Sequence, residues 1–201
     1  LIMNMMSAVM QGNALTHELK ADVFLDQVLH HEGGYTKNDN DHGNWTGGQK
    51  GKGTLKGTNF GISAKSYPHL DIINLTEEQA KQIYRVDFLA NAEYNYGKNN
   101  LAFKMTDVQI NTGKSTLIMQ RALNNIFIKA PIMQKPLVED GAMGPGTRSA
   151  VQNAINMVGE DAIIDEVIKV QKEYYQSIVN DDPSQDEFLE GWFNRADYKP
   201  Q

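Results

Sequence analysis

Apolar residues recur at three- and four-residue spacing along most of the chain, and strand-like alternation is nearly absent. That period belongs to helices that bury one face. The first clear stripe, Ala21, Phe24, Leu25, Val28 and Leu29, predicts a helix ending at Glu32, where Gly33-Gly34 supplies a glycine stop. From Tyr35 to Leu55 the period lapses into a polar segment rich in Gly, Asn and Asp, which predicts a binding loop or a short β-hairpin. Thr76-Glu77-Glu78-Gln79 has the form of a capping box and opens a helix that carries Ala80, Ile83, Tyr84 and Phe88 inward as far as Gly97. Leu101 to Thr112 follows, with Leu101, Met105 and Val108 on one face and Gly113 as its stop. Helices over about 115–128, 146–158 and 161–179 complete the pattern, with a Pro- and Gly-bearing connection from Ala130 to Pro145. Pro183 sets off a tail holding Phe188, Trp192 and Phe193. The fold class is therefore mainly α, with one small irregular or β-hairpin segment near residues 35–62. A soft boundary at Tyr96 to Asn100 divides the chain into lobes 1–98 and 99–201.

Composition narrows the function classes. Of 201 residues, 22% are charged and the formal net charge is −6, so no overall basic field exists to attract nucleic acid. The local exception, Lys50, Lys52 and Lys56 among glycines, reads as a solvated loop; contact with an anionic polymer is the minor alternative. There is no cysteine, hence no disulfide frame or thiolate chemistry. No stretch approaches the roughly 20 apolar residues that cross a bilayer, so membrane insertion is not expected. The Met-rich segment Leu1 to Met10 lacks a basic region and reads as a poor secretory signal. A product of the cytoplasm acting outside it would then need another exit, such as a lysis pore.

Glu32 is the most informative residue. One further step along the stripe 21, 24, 25, 28, 29 lands on it, so the carboxyl is expected to point into the apolar face. Desolvation there disfavours the anion, and a neutral carboxylic acid is what general-acid cleavage of a glycosidic bond requires. The competing reading is a glutamate that ends a helix and reaches for solvent, although a helix C-terminus is a poor place for an anion. A glycosidase of the usual kind needs a second carboxylate, and the polar segment offers Asp39 and Asp41. His30 and His31 diverge on the helix and have no third ligand nearby, so neither a metal nor any other cofactor is expected.

The residues His31-Glu32-Gly33-Gly34-Tyr35, then Asp41, then Thr58-Asn59-Phe60-Gly61-Ile62, resemble the signature of glycoside hydrolase family 108. Further matches follow in order: Leu75 to Ala80 with Ile83-Tyr84-Arg85, the pattern Asp107 to Gly113, Gln120 to Leu123, Asp140 to Thr147, and Gly191 to Arg195. The resemblance runs from about Asp22 to Arg195. It implies a lysozyme-like N-acetylmuramidase of the type also labelled secretion activator, with a predicted peptidoglycan-binding region in its latter half. It places the catalytic acid at Glu32. The arrangement of related phage-type lysozymes would add Asp41 and Thr58, Thr58 helping to hold the attacking water. An apparent insertion, about Asn44 to Lys56, separates these two and leaves Asp39 as the alternative second carboxylate. Tyr35, Asp107 and Asn111 are the expected substrate-binding positions; Asp107 and Asn111, at i, i+4, suit either a sugar contact or the cap of a neighbouring helix.

The expected partner is peptidoglycan, and the expected reaction is hydrolysis of its β-1,4 bond between N-acetylmuramic acid and N-acetylglucosamine. A non-catalytic wall-binding or secretion accessory protein on the same scaffold is the alternative. Oligomeric state has no signal in the sequence.

Overall fold

The computed structural model describes residues 2–132 and 134–201, apart from the side chains of 2–9 and 15. Leu1 and the side chains of most of the Met-rich segment lie outside that description. The chain divides into two compact units, 1–87 and 88–201. None of the described helices is long and apolar enough to cross a membrane.

In the first unit α1 spans Ile2–Glu32. The stripe Ala21, Phe24, Leu25, Val28 and Leu29 is buried, as its spacing requires. On a second face α1 presents Glu18, Asp22 and Asp26 at four-residue intervals to α2, Glu77–Ile83. Arg85, just beyond α2, pairs with Glu18 at 2.9 Å and Asp22 at 2.6 Å, and Lys81 with Asp26 at 2.7 Å. The Asp26 hydrogen bond raises the Lys81 pKa, against the pull of desolvation. The capping box opens α2: Thr76 accepts from the Gln79 amide while the Gln79 side chain accepts from the Thr76 amide. Between the helices lie a one-turn 3-10 helix, His42–Asn44, and a hairpin of β1, Thr58–Asn59, and β2, Ile62–Ser63, paired antiparallel.

The helical run from α2 to Gly97 holds a correction. Residues Tyr84–Leu89 form a π-helical turn before α3, Ala90–Tyr96. A π turn carries an extra residue, which advances the inward face by one position. The buried series is therefore Ala80, Tyr84, Leu89, Ala92 and Tyr96, and Phe88 and Ile83 are only half-buried.

In the second unit α4, Asn100–Thr112, is buried on every side from Leu101 to Val108, beyond the single face its apolar residues suggest. Asn99 caps its start, and Gly113, in the left-handed region, its end. Around it pack α5, Ser115–Phe127; α6, Pro145–Val158; α7, Glu160–Asp181; and α8, Asp186–Ala196. Three α5 side chains hold the long connection before α6. Asn124 exchanges bonds with Leu137, Arg121 pairs with Glu139, and Gln120 holds residues 140–147. Gln120 is buried; its amide nitrogen donates to the Asp140 carboxylate, the Ala142 carbonyl and Thr147 Oγ1, and its oxygen accepts from the Gly141 amide. The motifs at 120–123 and 140–147 are thus two halves of one hydrogen-bonded structure.

Lys104 is another polar residue inside this unit, 0% exposed. Its Nζ donates to the Ala196 carbonyl at 2.8 Å and lies 5.9 Å above the Tyr198 ring, fastening the segment after α8 to α4. Burial brings its pKa down to about 8, with the Asp107 and Asp197 carboxylates opposing the fall.

Two outcomes test this packing. Gln120→Ala removes a buried amide that bonds Asp140, Gly141, Ala142 and the buried Thr147, and should cost about 1–3 kcal/mol, read as a lowered denaturant midpoint. Because the folded state releases the Lys104 proton near pH 8 and the unfolded chain only near 10.5, the unfolded chain binds more protons between those values, and stability should rise with pH there. Compared with Lys104→Met, the wild type should gain about 1–2 kcal/mol from about pH 7.5 to 9.5; parallel pH curves would refute the assignment.

Candidate active site

The site in the first unit is built around a two-residue turn. Asn59 and Ile62 pair directly, leaving Phe60 and Gly61 as the loop, with φ of 50° and 74°. Positive φ at both central residues defines the hairpin turn whose twist suits antiparallel strands. For phenylalanine that conformation is strained, by about 1–3 kcal/mol. Its surroundings hold it: Tyr84, buried, donates its hydroxyl to the Phe60 carbonyl at 2.9 Å. The Asn59 side chain, also buried, donates to the carbonyls of Ile72 and Leu75.

Glu32 meets this turn. A Cβ at Gly61 would stand 2.8 Å from Glu32 Oε2 and 2.5 Å from Tyr84 Oη, so only glycine lets the carboxyl and the phenol close on the turn. Glu32 is half-buried, not sunk in the apolar face as its place in the stripe suggests. It is the last residue of α1, where the helix is giving way to Gly33, and the side chain leaves the stripe to rest on the hairpin.

Asp41 and Thr58 are joined through one residue, Asn44, which is 0% exposed. Thr58 donates its hydroxyl to Asn44 Oδ1 at 2.7 Å. Asn44 Nδ2 donates to the Asn38 carbonyl, and the Asn44 amide donates to the Asp41 carbonyl. The Asn44 carbonyl accepts from both Lys56 and Gly57 amides at 3.0 Å. Asp41 itself is exposed and caps the 3-10 turn, its Oδ1 accepting from the Gly43 amide at 2.8 Å. The apparent insertion is a closed excursion: Trp45 bridges Leu55, Thr46 and Gly47 bond across to Thr54 and Lys52, and both ends return to Asn44. The extra residues project from a fixed base and leave the connection from Asp41 to Thr58 intact. Asp39 lies on the excursion's side, its carboxylate 3.0 Å from Lys50 Nζ.

Tyr35 donates its hydroxyl to the Lys56 carbonyl and lines a cavity of about 390 Å³ with Lys37, Lys56, His69 and Ile73, which does not include Glu32, Asp41 or Thr58. Asp107 and Asn111 lie on α4 in the second unit, where Asn111 donates to Asp107 at 3.0 Å and Lys104 Nζ stands 3.8 Å from Asp107. Asp107 is 8% exposed, so its described contacts are internal to the helical packing.

Residues 25–113 match the family model Glycosyl hydrolase 108, and residues 114–197 match the family model Predicted Peptidoglycan domain. The chain therefore joins a region similar to glycosyl hydrolase 108 to one similar to a predicted peptidoglycan domain. It is a peptidoglycan-acting protein of glycosidase type, and its place of action is the cell wall. No curated protein matches the chain. The glycosyl hydrolase 108 match takes in Glu32, Asp41, Thr58 and their supports Asn44, Gly61 and Tyr84; it ends at Gly113, the stop of α4. The sequence-based division at 98/99 lies between the compact-unit limit at 87/88 and the family-model limit at 113/114.

Asn44 and Tyr84 escaped the sequence reading for different reasons. Asn44 stood at the edge of the insertion, one asparagine among many, and Tyr84 carried only the signal of an inward-facing helical residue. The Gly61 contact supplies a test. Gly61→Ala should destabilise the first unit by about 1–3 kcal/mol and displace Glu32, giving a larger loss of wall-cleaving rate than of melting temperature. Tyr84→Phe, which removes only the hydroxyl, should cost about 1 kcal/mol.

Proposed function

We propose that this chain hydrolyses the β-1,4 bond between N-acetylmuramic acid and N-acetylglucosamine in peptidoglycan, with Glu32 as the general acid. The observation that carries the reading is the closure of Glu32 on the Phe60-Gly61 turn. A carboxyl partly withdrawn from water, resting on a turn that glycine keeps open, suits transfer of a proton to the leaving glycosidic oxygen.

Thr58 and Asp41 take complementary parts with the water. Because the Thr58 hydroxyl proton goes to Asn44, the oxygen is left as an acceptor for a water hydrogen. Asp41, one oxygen held by the Gly43 amide, offers its carboxylate to orient that water or to stabilise the oxocarbenium-like transition state. Asp39 is the poorer candidate because it lies on the excursion's side, its carboxylate turned to Lys50. Tyr35 is assigned a peripheral contact with substrate. For Asp107 and Asn111, hydrogen-bonded to each other within α4, we favour internal support over a sugar contact.

Peptidoglycan incubated with wild type should release fragments with reducing muramic-acid ends, identified by mass spectrometry. Glu32→Gln should lower the rate by about 10²–10⁴-fold while circular dichroism stays native. Thr58→Val should lower kcat with little change in KM. An active, folded Glu32→Gln protein would overturn the assignment; anhydro-muramic ends would make the enzyme a lytic transglycosylase. Wall binding without fragments would make it a binding module.

A further inference from the structure

The second unit contains a shallow, open groove of about 470 Å³ along α7, bounded on one side by Phe193 of α8. All of its lining falls within residues 114–197, matched by the Predicted Peptidoglycan domain. Ile168 and Phe193 give it an apolar floor, and Asp165, Lys169, Lys172 and Glu173 surround it with both signs of charge. The spacing explains the grouping, since 165, 169 and 173 recur at i, i+4 along one face of α7 and 172 lies beside them. Trp192 fixes the other wall. It stacks between Tyr175 at 5.3 Å and Phe188 at 5.9 Å, which seats α8 on α7, while its neighbour Phe193 lines the groove beneath Lys172 Nζ at 5.6 Å. The ion pairs around the rim are exposed or half-exposed: Lys169 with Glu166, Asp165 with Lys199, Lys172 with Asp197. Exposed pairs of this kind are worth little and exchange readily for a ligand's charges.

We propose that this groove is where the second domain holds peptidoglycan, and that its occupant is the peptide stem and not the sugar chain. The sugar backbone of peptide-bearing peptidoglycan is uncharged, because the muramic-acid carboxyl is consumed in the amide to the peptide. Charges of both signs would gain nothing from it. The stem carries free carboxylates, in many walls a free amine, and alanine methyl groups between them. That sequence of groups matches Lys169 and Lys172, Asp165 and Glu173, and the floor of Ile168 and Phe193. The inference rests on peptidoglycan as the partner and not on which bond the first domain cuts.

The test uses the full chain carrying Glu32→Gln, so that the wall stays whole, and measures binding to purified sacculi and to glycan strands stripped of peptide by an amidase, the lactyl carboxyls so freed being capped as methylamides to keep the glycan uncharged. Intact sacculi should bind about tenfold more tightly than stripped strands. Adding Lys169→Glu, at a side chain 63% exposed and remote from the core, should weaken sacculus binding about tenfold and leave stripped-strand binding unchanged. Phe193→Ala, checked for native helicity, should act the same way. Equal binding to the two polymers would overturn the stem as occupant. Undiminished sacculus binding by both variants would overturn the groove. A wild-type chain that binds sacculi with this preference but releases no fragments would support the groove and sink the muramidase reading.

Discussion

The first unit depends on keeping a polar, glycine-rich segment of more than twenty residues in one shape without a hydrophobic core of its own. A buried amide does this. Asn44 uses its backbone amide, backbone carbonyl and both ends of its side chain, so the residues before it, the strand after it and the base of the excursion are all fixed to one point. Burying a polar group is tolerable only when its hydrogen bonds are met, and here each bond also does positional work. Both ends of the excursion terminate at Asn44, so residues 45–55 are closed off from the path between Asp41 and Thr58. The same closure commits the Thr58 proton inward, and that decides which way Thr58 can address a water.

The hairpin turn adds a second constraint on the same site. Phenylalanine at positive φ is held there by the Tyr84 hydroxyl on its carbonyl, and the glycine beside it opens the space that Glu32 enters. Tyr84 in turn begins the π-helical turn, so the residue that supports the Phe60-Gly61 turn also marks the change of register in the helical run. Strain of this kind persists only where surrounding contacts over-determine it, and it concentrates at functional sites.

The second unit solves a different problem with the same device. A helix buried on every side must satisfy any polar group it carries, and α4 carries Lys104, Thr106 and Asp107. Lys104 ties the segment after α8, and Thr106 returns its hydroxyl to the Ala102 carbonyl. Gln120 does for the 140–147 connection what Asn44 does for the excursion. Buried amides and one buried ammonium hold irregular segments to regular ones, while the helix faces that remain exposed carry the charge patterns available for contact with the wall.

Periodicity by itself determined most of the helices, the capping box at Thr76 and the apolar stripe of α1, because a 3.6-residue repeat and a local hydrogen-bond motif are written in neighbouring residues, although it left α8 as a tail. It also marked residues 35–62 as the irregular part, where apolar period fails. The order of short motifs identified the family, and that too is a property of the chain read as a line. Three things waited for tertiary structure. Leu89 replaced Phe88 inside because a π turn shifts phase without any compositional signal. Asn44 became the hub of the site because its partners lie up to 14 residues away, and no local pattern separates it from the other asparagines. Glu32 came to rest half-buried on Gly61 because its position depends on a hairpin far along the chain. Local periods fix which residues form elements; contacts between distant residues, each with its own desolvation to satisfy, fix what those elements present.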